Sequence, residues 1–133
     1  MSAAALKARL EAVAGVTAIL GTPNGTRLYP VLLPEKPAYP AANYQLISRT
    51  RVSSMGVDTG LARERWQLGA WAESYEAASA LRDALRAALQ RWRGTAGGQV
   101  VQDVFIENEV DNYDDEERVH QLLLDVMMIV EEA

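Results

Sequence analysis

The stretch LARERWQLGAWAESYEAASALRDALRAALQRW, Leu61 to Trp92, decides the fold, because its hydrophobic period changes from two to that of a helix within a few residues. In its first part Trp66, Leu68, Ala70 and Ala72 fall on one face, with Arg63, Arg65 and Gln67 on the other, which is the alternation of a half-buried strand. After Glu73-Ser74-Tyr75, the residues Ala78, Leu81, Leu85, Ala88, Leu89 and Trp92 recur at spacings of three and four. They line one helical stripe and leave Arg82, Arg86, Gln90 and Arg93 mostly outside it. Gly94 is the expected stop. The stretch predicts one strand feeding one helix.

Toward the amino end, Ser2 can cap a first helix with Leu6, Leu10 and Val13 on one stripe, and Gly15 ends or bends it before a short VTAIL turn. Pro23-Asn24-Gly25 predicts a turn, and Arg27 to Leu33 a short extended piece. Pro30, Pro34, Pro37 and Pro40 bar the next segment from a central strand position. Asn43 to Val52 then alternates, with Tyr44 and Leu46 on one side and Gln45, Arg49 and Arg51 on the other, and Ser53 to Gly60 reads as a long hairpin loop.

Toward the carboxyl end, Gly97-Gly98 turns the chain into a strand from Gln99 to Val110, on which Val100, Val104, Ile106 and Val110 share a face. The last strand, Glu117 to Val130, carries Leu122, Leu124, Val126, Met128 and Val130 on its even face. No repeat, low-complexity tract or linker divides residues 1–133, so the expectation is one α+β domain. Its sheet is expected to be antiparallel and four-stranded, plus a short extra strand, with two helices packed on one face.

Four pieces, in this order and approximate spacing, resemble the tail terminators of long-tailed bacteriophages, also called tail completion or tail-to-head joining proteins. They are GVTAILGTPNGTRLYP (Gly15 to Pro30), PAYPAANYQLIS (Pro37 to Ser48), RWQLGAWAESYEAASALRDALRAAL (Arg65 to Leu89) and the final strand pair. The resemblance covers nearly the whole chain. It implies a structural virion protein that caps the tail tube as a six-membered ring, ends tube polymerisation and forms the tail side of the head–tail junction. The implied partners are copies of itself, the tail tube protein and a head-completion or neck protein. DNA would pass through without specific binding, and the place would be the head-proximal end of the tail, after a stay in the host cytoplasm. Two alternatives stand beside it: another neck or connector component, and a small α+β enzyme using the acidic residues between Glu107 and Glu117.

Composition narrows the field. The chain of 133 residues is long enough to bury a core unaided, and with no cysteine it has no thiolate chemistry and no disulfide. A formal net charge of −5 works against general affinity for nucleic acid. The first residues, MSAAALKARLEAVAG, are interrupted by Lys7, Arg9 and Glu11 and do not read as a secretory signal, and no membrane association is expected. No cofactor or metal site is expected either. His120, the single histidine, shares a face with Leu122 and reads as structural, no serine sits in a nucleophile elbow, and Asp111, Asn112, Asp114 and Glu116 lack the spacing of a cation loop.

The odd strand faces carry the functional clue. Opposite the helices a sheet should be mostly polar, yet this side holds Ile47, Trp71, Val101, Phe105, Val119, Leu123, Met127 and Ile129. Either a partner covers them or the proline-rich segment or first helix folds over them. Trp66 and Trp92 read as core, leaving Trp71 as a surface anchor or a partly covered strand-end residue. Arg49, Arg51, Arg63 and Arg65, all assigned to the odd face, form a candidate basic docking patch or simply a solvated sheet edge. Asp111, Asp114, Asp115, Glu116 and Glu117, with Glu107 and Glu109, gather near the last hairpin turn with only Arg118 of opposite sign nearby in sequence. They read as a lining that repels DNA from the passage, or as a solvated turn.

Overall fold

The computed structural model describes residues 2–21, 26–34, 38–54 and 57–131. Three helices and six strands follow one another as α1 (Ser2–Ala12), α2 (Ala14–Leu20), β1 (Leu28–Pro30), β2 (Ala41–Ser54), β3 (Val57–Ala72), α3 (Tyr75–Leu89), β4 (Gly94–Ala96), β5 (Gln99–Asp114) and β6 (Val119–Glu131). The strands form one sheet in the order β1-β2-β3-β6-β5-β4, with β1 parallel to β2 and all other pairs antiparallel. This corrects the expected four-stranded antiparallel sheet with two helices: the sheet is mixed, six-stranded and curled into a half-barrel, with three helices. The additions are small elements. β1 and β4 have three residues each, and the VTAIL segment is part of α2 rather than a turn.

The sheet consists of two long hairpins, β2–β3 and β5–β6, joined by β3 against β6 along the register Leu61↔Glu131 to Ala72↔His120. Trp66, Leu68, Ala70 and Ala72 of β3 and Leu122, Leu124, Val126, Met128 and Val130 of β6 are buried, all pointing to the helices. Ala78, Leu81, Leu85, Ala88 and Leu89 of α3 meet them, with Leu6 and Leu10 of α1 and Val16 and Leu20 of α2 completing the core. Each fully buried leucine contributes about 1.5–3 kcal/mol, so this stripe outweighs any single polar contact.

Ser74 caps α3, its Oγ accepting from the Ala77 N–H at 3.1 Å. The helix stops at Leu89, not at Gly94, because the next residues are tied to β5. The Arg91 N–H donates to the Val104 carbonyl at 2.6 Å, and the Ile106 N–H donates to Gln90 Oε1 at 2.9 Å. Gly94 therefore starts β4, and Trp92, half-buried beyond the helix, carries the Arg9 guanidinium over its ring. Arg9 Nε also donates to the Ala88 carbonyl at 2.9 Å, fastening α1 to the end of α3. Gly97 permits α1 to pass over the β4–β5 turn, since a Cβ there would lie 2.8 Å from the Ala4 backbone. Arg27 secures the other end of the helical layer, donating to the carbonyls of Ile19 and Pro40 at 2.6 and 2.7 Å.

β-Bulges in β2 and β5 reverse faces that simple alternation assigns. In β2 the register steps from Leu46↔Trp66 to Ser48↔Arg65, so Arg49 lies opposite Glu64 and Arg51 opposite Ala62. Both arginines therefore sit on the helix side, not on the odd face with Arg63 and Arg65. In β5 shifts follow Val101 and Ile106, which bury Val101 in the core and leave Val100 and Val110 exposed, against the expected shared face. The long hairpin loop expected from Ser53 to Gly60 is largely strand, with Ser53↔Asp58 and Ser54↔Val57 paired, while residues 55 and 56 at its tip lie outside the description. The expected turn at Pro23-Asn24-Gly25 and Pro37 also lie outside the described residues.

Candidate assembly surface

The side of the sheet away from the helices is the candidate functional surface. Phe105, Leu123, Met127 and Ile129 lie there as neighbours in register, half-buried, with exposed Val110 opposite Leu123. Val119 also points this way and is buried at the strand start, whereas Ile47 occupies the β2 bulge and is exposed. Arg63 and Arg65 flank the apolar row from β3, and Arg65 pairs with Asp125 of β6 at 3.0 Å. The first helix does not cover this side, since Ala5, Leu6 and Leu10 pack into the core opposite.

The proline-rich segment does reach one end of the surface. Val31 to Pro34 and Tyr39 stand over Asn43, Gln45, Gln67, Trp71 and Gln121, enclosing an open groove of about 490 Å³. Asn43 is its anchor. Asn43 Nδ2 donates to the Val31 carbonyl at 2.7 Å, and Asn43 Oδ1 accepts from Trp71 Nε1 at 2.9 Å. Gly69, between Asn43 and Leu123 in the sheet, leaves the room this requires. Trp71 is thus a partly covered residue with a satisfied indole. Sequence reading missed the amide cluster, of which only Asn43 and Gln45, two apart on one strand face, form a pattern in the sequence.

Asp114 and Glu117 close the groove. Burial, and after it the charges of Glu117, Asp114 and Glu73, push the Tyr39 hydroxyl above its usual pKa, so it stays protonated. At the hairpin tip Asp114 Oδ1 accepts from the N–H groups of Glu116 and Glu117 at 3.0 and 3.2 Å, leaving Asp115, Glu116 and Glu117 exposed in the turn.

Two further members of the acidic cluster, Glu109 and Asp111, have partners that sequence distance concealed. Arg82 and Arg86 of α3 reach β5. Arg82 pairs with Asp111 and stands 3.7 Å from Glu109, and Arg86 lies 3.2 Å from Glu109. The Tyr75 hydroxyl donates to Asp111 at 2.8 Å, and this bond first, then Arg82, holds the Asp111 carboxyl below its ordinary range. Burial pulls against protonation of Arg82, but its bond to Asp111 and the charges of Asp111 and Glu109 outweigh it. Arg118 is therefore not the sole opposing charge. His120 lies between Tyr75 and Tyr113, edge-on to the first and tilted to the second, with ring centroids at 5.6 and 4.8 Å.

On the helix side, Glu64 is buried, receiving a hydrogen bond from Trp66 Nε1 at 3.1 Å and facing Arg49 Nε at 3.4 Å. The four arginines thus divide into two pairs on opposite faces, and the single basic patch expected from the sequence does not form.

Comparison with known proteins agrees with this architecture. A chain from the virion of a native gene transfer agent particle matches with a TM-score of 0.71 at 18% sequence identity, over 96% of this chain and 92% of its own, which shows a shared fold. No curated protein matches the chain. The family model for tail completion protein gp17 matches residues 4–131. By that match the chain belongs to the tail completion protein gp17 family, whose members are structural proteins of the bacteriophage virion.

Proposed function

We propose that this tail protein caps the tail tube as a ring of six copies, ends tube polymerisation and presents the tail side of the head–tail junction. The observation that carries the reading is the outer row of Phe105, Leu123, Met127 and Ile129, which stays half-exposed because, among the described residues, no helix packs against that side. A contiguous apolar row on an uncovered sheet face is the kind of surface that interfaces use, here with the tube protein or a head-completion protein. Arg63 and Arg65 orient that contact from its border. The exposed carboxylates of the β5–β6 turn, Asp115, Glu116 and Glu117, lie at the rim of the passage, where negative charge lets DNA slide without binding.

Electron microscopy of particles assembled with and without this protein tests the proposal through tube length and unattached heads. Overlong tubes beside tail-free heads are the expected result. Tubes of normal length that fail to join heads would move the protein to the neck and overturn tube termination.

A further inference from the structure

We infer that neighbouring copies join edge to edge, with β2 of one copy pairing antiparallel to β5 of the next, so that the sheet continues across the subunit boundary. The inference rests on the ring proposed above and specifies how it closes.

Both outer strands have an open stretch. β1 covers β2 only at Ala42 to Tyr44, with one further bond from the Val31 N–H to the Tyr44 carbonyl. β4 covers β5 only at Gln99 to Val101, and Gln90 and Arg91 cover it at Val104 and Ile106. Among the described residues, no backbone partner is found on the outer side of β2 from Leu46 to Thr50 or of β5 from Asn108 to Asp114. Unpaired edges of this kind are templates for strand addition.

The two edges match in phase. Ala42 and Tyr44 direct their backbone groups toward β1, so alternation, carried through the bulge at Ile47, directs those of Leu46, Arg49 and Arg51 outward. Val104 and Ile106 direct theirs away from β6, and past the bulge at Glu107 the same holds for Glu109, Asp111 and Tyr113. All six side chains lie on the helix side of their own sheet. Residues exchanging hydrogen bonds across an antiparallel edge stand directly opposite, with side chains on one face. Arg49 then faces Asp111 and Arg51 faces Glu109, opposite charges in cross-strand positions. Leu46 falls beside Tyr113, two side chains exposed by 42% and 50% in the single copy.

Direction and length fit as well. β2 and β5 run antiparallel within one sheet, so rotation about an axis along the strands brings β5 of one copy antiparallel to β2 of the next. In this register the β5–β6 turn arrives where β1 begins to occupy the β2 edge, so neither covering strand is displaced. The contact is heterologous, the type that a ring requires.

The cysteine-free chain permits a direct test. Arg49→Cys with Asp111→Cys places two thiols on residues whose Cα atoms would be about 5.5 Å apart across the boundary, within disulfide reach. Oxidation is expected to give a covalent ladder up to the closed ring. A second pair, Leu46→Cys with Tyr113→Cys, removes no ion pair and is expected to do the same. Arg49→Cys with Asn112→Cys directs the thiols to opposite faces and is expected to stay uncrosslinked. Rings by electron microscopy without disulfides from either test pair, or with equal crosslinking of the control, would overturn the edge pairing and leave the ring intact. Failure of the parent protein to form rings on tube ends would instead overturn the ring itself.

Discussion

Gly69→Ala is the sharpest test of the outer face, because ordinary propensity and this structure predict opposite signs. In a strand interior alanine is favoured over glycine by about 0.5–1 kcal/mol, so the substitution should stabilise an open site. Here the new Cβ would collide with Asn43 Oδ1 and come within 2.9 Å of Trp71 Nε1. The Asn43 amide must swing away, breaking its bonds from Trp71 Nε1 and to the Val31 carbonyl. Two such bonds contribute about 0.5–1.5 kcal/mol each. After subtracting the propensity gain, the expected net loss centres on about 1 kcal/mol within a span of about 0–2.5 kcal/mol. For a chain of this size the central value is a melting temperature lower by roughly 3–5 °C. Calorimetry measures it directly. In an Asn43→Ala background the same substitution should become neutral or stabilising, exposing the coupling of the two positions. A single mutant melting at or above the parent would refute the account of how the proline-rich segment is held.

Three further outcomes are expected. Glu64→Ala leaves the Trp66 indole without its acceptor in the core and should cost about 1–3 kcal/mol in denaturant unfolding, with Glu64→Gln losing less. Leu85→Ala, in the buried stripe of α3, should cost about 2–5 kcal/mol, whereas Leu32→Ala, on a residue 78% exposed, should change stability by less than about 0.5 kcal/mol. Asp111 titrates lower in the folded chain than its ordinary 3.8, chiefly through Tyr75, so its stabilising contribution is full above that value and is lost as pH falls through the depressed one. Asp111→Asn should therefore lower the melting temperature at neutral pH and converge on the parent in acid.

Long periodic elements were legible and phase changes were not. The β6 row from Leu122 to Val130 and the α3 stripe appear in the structure as their spacing demands, since each repeats often enough to specify its face. Arg49 and Arg51 were misplaced because one extra residue at Ile47 flips every position after it, and counting by twos carries no mark of a bulge. The same holds for Val100, Val101 and Val110 in β5. β1 and β4, of three residues each, are too short for periodicity to register. The partners of Asp111 and Glu109 escaped for a related reason: Arg82 and Arg86 read as an exposed helix face until the helix lies across β5. The outer row of β6 was readable because β6 contains no bulge.

The central place of β6 bears on how the protein is made. β3 leaves the ribosome well before its partner, with Trp66, Leu68 and Ala70 awaiting a strand that follows every other described element in the sequence. Until then the nascent chain holds one finished hairpin with an open inner border, a species prone to pairing with others of its kind. A truncated product lacking β6 would retain that border permanently and lose half of the core opposite α3. A chain interrupted before β6 is therefore expected to be cut by proteases faster than the full chain, since its sheet cannot close.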